Sequence, residues 1–254
     1  MTHLIQTIFA DGIAEIRFNR PDKKNAILVE MYAALRDAIR VAEIDPSIRV
    51  ILFTAAGDSF TAGNDLKDFL APRGSEAEPP VTGFLNAIAT AEKPMIAAVR
   101  GNAVGVGTTM LLHCDLVLAS PEAQLQVPFV NLGLVPEAAS SLLLPRLLGH
   151  QRAAALVLLG ERLGAAEALA AGLVYRVVPL ADLDTEARAV AARLAAQAPT
   201  AVRLSKRLLK RAPESVADRM AEEGKHFAAQ LQSAEVKEAI GAFFEKRPAD
   251  FSRI

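Results

Sequence analysis

Three short, unbroken apolar runs constrain the architecture of this chain: Val50-Ile51-Leu52-Phe53-Thr54, Met95-Ile96-Ala97-Ala98-Val99 and Leu116-Val117-Leu118-Ala119. A strand that meets water on one face alternates apolar with polar residues. A run without alternation belongs on a strand covered on both faces, as in a parallel sheet flanked by helices. Helical stretches lie between the runs, around Val81 to Ala91 and from near Gly105. Strand and helix therefore alternate, and right-handed crossovers in a mainly parallel α/β sheet are expected.

Ahead of the first run, Leu4 to Arg17 reads as a hairpin turning at Ala10-Asp11-Gly12. Leu28, Met31, Tyr32, Leu35, Ala38, Ile39 and Ala42 then recur at helical spacing until Asp45-Pro46 stops the pattern. After Pro136 the chain turns rich in Ala and Leu, with helices expected near 138–149, 152–160, 165–171 and 182–196 and one strand at Leu173 to Val178. Ala71 to Pro80, with its prolines and Gly74, reads as a flexible surface loop because β-like runs stand on both sides. Arg203, Lys206, Arg207, Lys210 and Arg211 crowd the helix that follows residue 196. They form either a solvated face near a helix C-terminus or a rim that contacts phosphates.

Composition excludes several classes of function. Lys plus Arg number 28 against 29 Asp plus Glu, so a net charge of −1 gives no global field to gather a polyanion, and nucleic acid is not an expected partner. Nothing approaches a membrane span, and the N-terminus has no basic start leading into an apolar run, so a cytoplasmic protein without a membrane partner is expected. Cys114 stands alone, which rules out an intramolecular disulfide or a cysteine metal cluster and fits a buried, inert thiol. His3, His113, His150 and His226 show no metal-ligand spacing, so no metal is expected. There is no GxSxG, and Ser140 and Ser141 lack an identifiable base, which argues against hydrolase chemistry.

Three loops follow strand-like runs, where helix starts present unpaired N–H groups to anionic oxygens. In Ser59 to Leu66, Gly63 lets the backbone approach a ligand. Gly101 to Gly107 has the wrong glycine spacing for GxGxxG and no acidic residue about 20 positions on, so a dinucleotide site is rejected. Val127 to Glu137 leaves one carboxylate, Glu137, at the head of an apolar helix. It either complements the helix dipole or, if Leu132, Leu134 and Val135 bury it, gains a raised pKa and serves as a general base.

These loops in this order resemble the enoyl-CoA hydratase/isomerase (crotonase) superfamily, from about residue 5 to the C-terminal helices. The resemblance is carried by Asn19-Arg20-Pro21 with Asn25-Ala26, Phe60-Thr61-Ala62-Gly63-Asn64-Asp65-Leu66, Gly101 to Gly107, Cys114-Asp115, and Gly133 with Pro136. It implies a crotonase-like α/β spiral of ββα units over residues 1–196 and a C-terminal helical trimerisation region over residues 197–254, assembled as a homotrimer or dimer of trimers. It also implies an acyl-CoA thioester substrate, with coenzyme A part of that substrate and no separate cofactor. The oxyanion-hole donors carried over are the backbone amides of Asn64 and Val106. Substrate contacts are expected at Lys23, Lys24, Ala62, Asp65, Leu66, Gly105, Phe129 and Leu132, with Lys246 or Arg247 approaching the CoA. Asp65 is further expected to orient its loop, Asp115 to be structural, and Asn86 to lie on the helix over the acyl pocket.

The subfamily is implied by departures from the pattern. A hydratase carries two glutamates, at the positions matching Thr109 and Phe129, and neither is a carboxylate here. Glu137, directly after Pro136, matches the catalytic glutamate of the Δ3,Δ2-enoyl-CoA isomerases. Pro128 to Gly133, Glu137 to Ser141 and Lys23 to Ile27 resemble the peroxisomal-type members. The implied activity is isomerisation of a C3 double bond to C2 by one glutamate, as in fatty acid β-oxidation. The alternatives are another crotonase-fold acyl-CoA isomerase of aromatic degradation, an enoyl-CoA hydratase, and a non-catalytic acyl-CoA-binding relative. Ser252-Arg253-Ile254 departs from Ser-Lys-Leu at two of three positions and is not read as a peroxisomal signal.

Overall fold

The computed structural model describes residues 3–69, 78–252 and 254. The loop expected over Ala71 to Pro80 falls outside the described residues as far as Ala77, and Arg253 is outside them too. In chain order the described strands are β1 (Ile5–Ala10), β2 (Ile13–Phe18), β3 (Val50–Ala55), β4 (Met95–Val99), β5 (Asn102–Val104), β6 (Leu116–Ala119), β7 (Gln124–Gln126), β8 (Arg162–Gly164) and β9 (Arg176–Val177). The helices are α1 (Val29–Ile44), α2 (Leu66–Phe69), α3 (Pro80–Thr90), α4 (Val106–Thr109), α5 (Ser140–Leu148), α6 (His150–Ala154), α7 (Ala165–Ala170), α8 (Leu183–Ala195), α9 (Pro199–Leu209), α10 (Val216–Gln230) and α11 (Ala234–Glu245).

A six-stranded sheet runs in the order β1-β2-β3-β4-β6-β9. β1 and β2 form the expected antiparallel hairpin, closed by Asp11 and Gly12, both at positive φ, and every later pairing in this sheet is parallel. The apolar runs behave as read, since β3 and β4 are buried along their whole length. Their residues alternate between two cores. Ile51, Phe53 and Ala97 join the α1 and α3 side, while Val50, Leu52, Ile96 and Ala98 meet Leu183, Ala187, Val190 and Ala191 of α8. Each large aliphatic side chain so buried contributes about 1.5–3 kcal/mol. A polar strut reinforces the α8 face. Glu15 on β2 accepts from Arg188 at 2.8 and 2.9 Å and from Thr54 at 2.8 Å, which together hold its carboxyl below the usual range against the opposing effect of burial.

A second, three-stranded sheet, β5-β7-β8, was not expected from the sequence. It carries the chain from the end of β4 into the candidate site. Two other expectations need correcting. The strand at Leu173 to Val178 shrinks to Arg176–Val177. In the basic helix, Arg203 and Arg207 are exposed as read, but Lys206 points inward at 6% exposure. Its Nζ lies 2.9 Å from Asp115 and donates to the Lys93 carbonyl at 2.6 Å, and Lys210 donates to the His113 carbonyl at 2.8 Å. These two cations brace α9 against the sheet instead of forming a rim, with Asp115 as the structural carboxylate between them. Cys114 is partly buried, and burial beside Asp115 pushes its thiol up to about 12. No helix among the described residues is long and apolar enough to cross a membrane.

Candidate active site

The loop around Asn64 is clamped through its main chain from two sides. The Ile27 N–H donates to the Gly63 carbonyl at 2.8 Å, and the Asp65 N–H donates to the Ile27 carbonyl at 2.9 Å. Such a parallel bridge uses the groups on either side of Asn64 and turns its own N–H the other way. On the opposite flank the Thr61 N–H donates to Asn102 and the Val104 N–H to Thr61, both at 3.0 Å. Gly63, at φ +84°, lies flat against this second segment: a Cβ there would stand 2.7 Å from the Val104 carbonyl oxygen.

Val106 opens α4, where a first-turn N–H has no intrahelical partner. Gly105 makes the turn at φ +57°, and its own N–H is tied to Gln126 of β7 at 2.8 Å. Neither the Asn64 nor the Val106 N–H has an acceptor among the described residues. Both residues line a cavity of about 230 Å³, together with Ala62, Gly63, Leu66, Val104, Gly105, Pro128, Phe129, Leu132 and Leu134. Five of the expected substrate contacts, Ala62, Leu66, Gly105, Phe129 and Leu132, are therefore brought together around the two amides.

The remaining expected contacts lie elsewhere. The Lys23 and Lys24 side chains are exposed and do not line this cavity, although the Lys24 carbonyl receives the Ala62 N–H at 2.8 Å. The Asp65 carboxylate turns away toward Arg20 at 2.8 Å and accepts from the Lys67 N–H at 3.2 Å, so it holds the loop and does not line the cavity. The Arg20 guanidinium keeps that carboxyl below its usual range. Arg247 is engaged by Glu238 and Glu245, each at 2.6 Å. Asn86 does not cover the cavity. It faces a groove between α1 and α3 and donates to Glu78 at 3.3 Å.

Glu137 does not head a helix, because α5 begins three residues later at Ser140. This removes the helix-dipole reading. Nor does Val135 bury it, being 79% exposed. Glu137 is half-buried, and burial raises its carboxyl above the usual range against a weaker opposing effect of the Thr109 hydroxyl, which donates to Oε1 at 3.4 Å. Tyr32, in the apolar stripe of α1, was missed by the sequence reading. Its hydroxyl donates to the Asn64 side-chain oxygen. Burial first, and then the Glu137 charge, push the phenol well above its usual range, so it stays a neutral donor. Asn25 was noted only as part of a motif. It is fully buried, and its amide donates to the Ala56 and Ser59 carbonyls at 2.8 Å each, fixing the start of the loop.

Glu137 is not among the residues lining the cavity, but it is tied to them through Thr109 of α4 and through Tyr32, which feels its charge and donates to Asn64. Two N–H groups, an apolar cavity and a desolvated carboxylate so connected suit removal of a proton beside a carbonyl and stabilisation of the resulting oxyanion. The profile of the enoyl-CoA hydratase/isomerase family matches residues 9–253. Among curated relatives, enoyl-CoA delta isomerase 2 of Rattus norvegicus is 37% identical over 93% of this chain, and the match spans 62% of that protein's length. The 1,2-epoxyphenylacetyl-CoA isomerase of Escherichia coli K12 is 33% identical over 99% of both chains. Among solved structures, an enoyl-CoA hydratase/isomerase from Pseudoalteromonas atlantica T6c is 48% identical, with a TM-score of 0.80 over 98% of this chain and 99% of that one.

Proposed function

The chain belongs to the enoyl-CoA hydratase/isomerase family, and from that premise we propose that it is a Δ3,Δ2-enoyl-CoA isomerase acting on an acyl-CoA thioester. The observation that carries this reading is Glu137 standing as the one desolvated carboxylate at the site among the described residues. Glu137 is desolvated, and its neighbour Thr109 is a hydroxyl at a position where the family resemblance places a hydratase's acid.

Glu137 takes the C2 proton of a 3-enoyl thioester. The released electron pair spreads from C2 over the thioester oxygen and C4, and the oxygen is received by the amides of Asn64 and Val106. The protonated Glu137 then returns the proton to C4, leaving the double bond between C2 and C3. One group serves as base and then as acid, so no second carboxylate is needed. Losing one oxyanion donor typically lowers the rate on the order of 10²–10³-fold.

The test follows conjugated-thioester absorbance. A rise with a 3-enoyl-CoA that Glu137→Ala abolishes, without loss of ligand affinity, supports the reading. A fall with a trans-2-enoyl-CoA means hydration and overturns it. A second reading, isomerisation of an aromatic-derived acyl-CoA, is favoured by the end-to-end match to the E. coli epoxide isomerase. Activity on such a thioester alone would select it. Turnover of none of these thioesters despite intact binding would mark a non-catalytic relative.

The same reading includes self-association as a homotrimer or dimer of trimers. It is supported by the exposed Leu209, Val216, Met220, Phe227, Phe243 and Phe244 of α9–α11. Sedimentation as a monomer at micromolar concentration would remove that part. A cytoplasmic location is supported by the single free cysteine, which suits a reducing compartment.

A further inference from the structure

Directly after Glu137 the backbone adopts an uncommon conformation: Ala138 and Ala139 both have positive φ, +52° and +56°. The left-handed region is disfavoured for a residue with a Cβ by roughly 1–2 kcal/mol. Two such residues in succession persist where surrounding contacts over-determine them. One such contact is local, since the Ser140 N–H and hydroxyl both donate to the Glu137 carbonyl, at 2.9 and 2.6 Å. The other is distant in sequence: His113 Nε2 lies 2.9 Å from the Ala138 carbonyl oxygen.

A carbonyl can only accept, so Nε2 carries the proton. His113 is 8% exposed. Burial, helped by Lys210 and Lys206 and opposed by the bond to Ala138, holds the imidazole below its ordinary range, so it is a neutral ring that donates. His113 ends a continuous helical segment that starts at Val106. Its last four residues, Met110 to His113, form a 3-10 turn, and Thr109 and His113 both reach the Glu137–Ala138 segment. The segment therefore presents the Val106 N–H at its start, touches the Glu137 carboxylate through Thr109, and grips the turn behind that carboxylate through His113. At its far end Lys210 donates to the His113 carbonyl, bracing the segment from α9.

We propose that His113 is a positioning residue that holds the strained Glu137–Ala138–Ala139 turn and so fixes the distance between the base and the oxyanion donor on Val106. This rests on the reading of Glu137 as the base. His113→Leu removes the donor, whereas the side-chain amide of His113→Gln places an N–H near the same carbonyl.

With a 3-enoyl-CoA, His113→Leu is expected to lose about 10- to 100-fold in kcat, the scale of a displaced catalytic group, with KM within about threefold. His113→Gln should recover most of that loss. A wild-type kcat in His113→Leu, or a His113→Gln as slow as His113→Leu, overturns the proposal. If the leucine variant does not fold by thermal unfolding, His113→Asn, which is one methylene shorter than glutamine, takes its place as the broken form. If the wild-type protein turns over no 3-enoyl-CoA, the Glu137 reading fails, and crystal structures of the variants decide the positioning role separately. Ala138 and Ala139 should leave positive φ in His113→Leu and keep it in His113→Gln. Unchanged φ values in His113→Leu overturn the proposal.

Discussion

Gly63→Ala is the substitution that most directly loads the proposed oxyanion hole. Two penalties combine at this position. Gly63 sits at φ +84°, where an alanine is disfavoured by roughly 1–2 kcal/mol. The added Cβ also stands 2.7 Å from the Val104 carbonyl oxygen, against 3.4 Å where ordinary contact begins, so relief requires the two strands of chain to part by the difference of 0.7 Å. One of them carries the Asn64 amide and the other leads into Val106, so the opening falls between the two donors. A misplacement of about 1 Å can lower a rate by about 100-fold, and losing one donor outright lowers it about 10²–10³-fold. A loss of about 100-fold in kcat is therefore expected in the conjugated-thioester assay. Gly172→Ala is the matched control. Gly172 shares the left-handed φ, at +81°, but its nearest neighbour atom would be 4.0 Å away, so it should show only the roughly 1–2 kcal/mol stability loss and keep its kcat. A Gly63→Ala protein with kcat within threefold of wild type would refute the argument that this contact sets the donor geometry.

Other outcomes follow from the same geometry. Because burial raises the Glu137 carboxyl and the proposed base must be ionised, activity should climb with pH through an inflection above the ordinary glutamate value of 4.5. A kcat profile flat from pH 4.5 to 7 would contradict this. The sign reverses for stability, since a raised folded-state pKa favours folding below the unfolded value and loses that advantage as pH rises. Glu137→Gln should therefore be inactive yet more heat-stable than wild type at neutral pH. Tyr32→Phe removes the hydroxyl from the Asn64 side chain and should lower kcat up to about tenfold with little change in melting temperature, measured by parallel kinetics and calorimetry. Lys206→Met should destabilise the fold by about 1–3 kcal/mol in urea titration, less than a fully buried pair because Asp115 keeps 24% of its side chain exposed.

What could be read in advance depended on the range of the interaction. The hairpin, α1 and the three buried strands are written in local periodicity, and each appears within a few residues of its expected bounds. The second sheet could not be read this way. Its strands, at Asn102, Gln124 and Arg162, are three residues long with buried centres and half-buried or exposed ends, too short for alternation to register, and they exist through pairing across 20 to 40 positions. Lys206 misled for a related reason: a lysine in a basic run reads as solvated until an inward carboxylate 91 positions earlier is known. In the site, the glycine-bearing loops and the lone Glu137 stood out as residue types. Tyr32 and His113 did not. One was counted as core and the other only as lacking metal spacing, because a hydroxyl's or imidazole's role lies in a partner the chain brings near by folding.

The bridges that pair Ile27 with Asn64 and Thr61 with Ala103 consist wholly of main-chain bonds. The proposed charge-receiving groups are thus main-chain amides set by the path of the chain, with side chains acting behind them, Asn25 at the start of the loop and Arg20 with Asp65 at its end, and with glycine required where the two segments touch. Such a design separates two kinds of evolutionary change. On the proposed reading, side chains facing the cavity, such as Leu66, Phe129 and Leu132, can change and retune which acyl groups enter while the main-chain donors stay in place. In a mutational scan of this loop, that separation would appear as losses of no more than about tenfold at position 64, the cost of the Tyr32 contact, beside near-absolute intolerance at position 63.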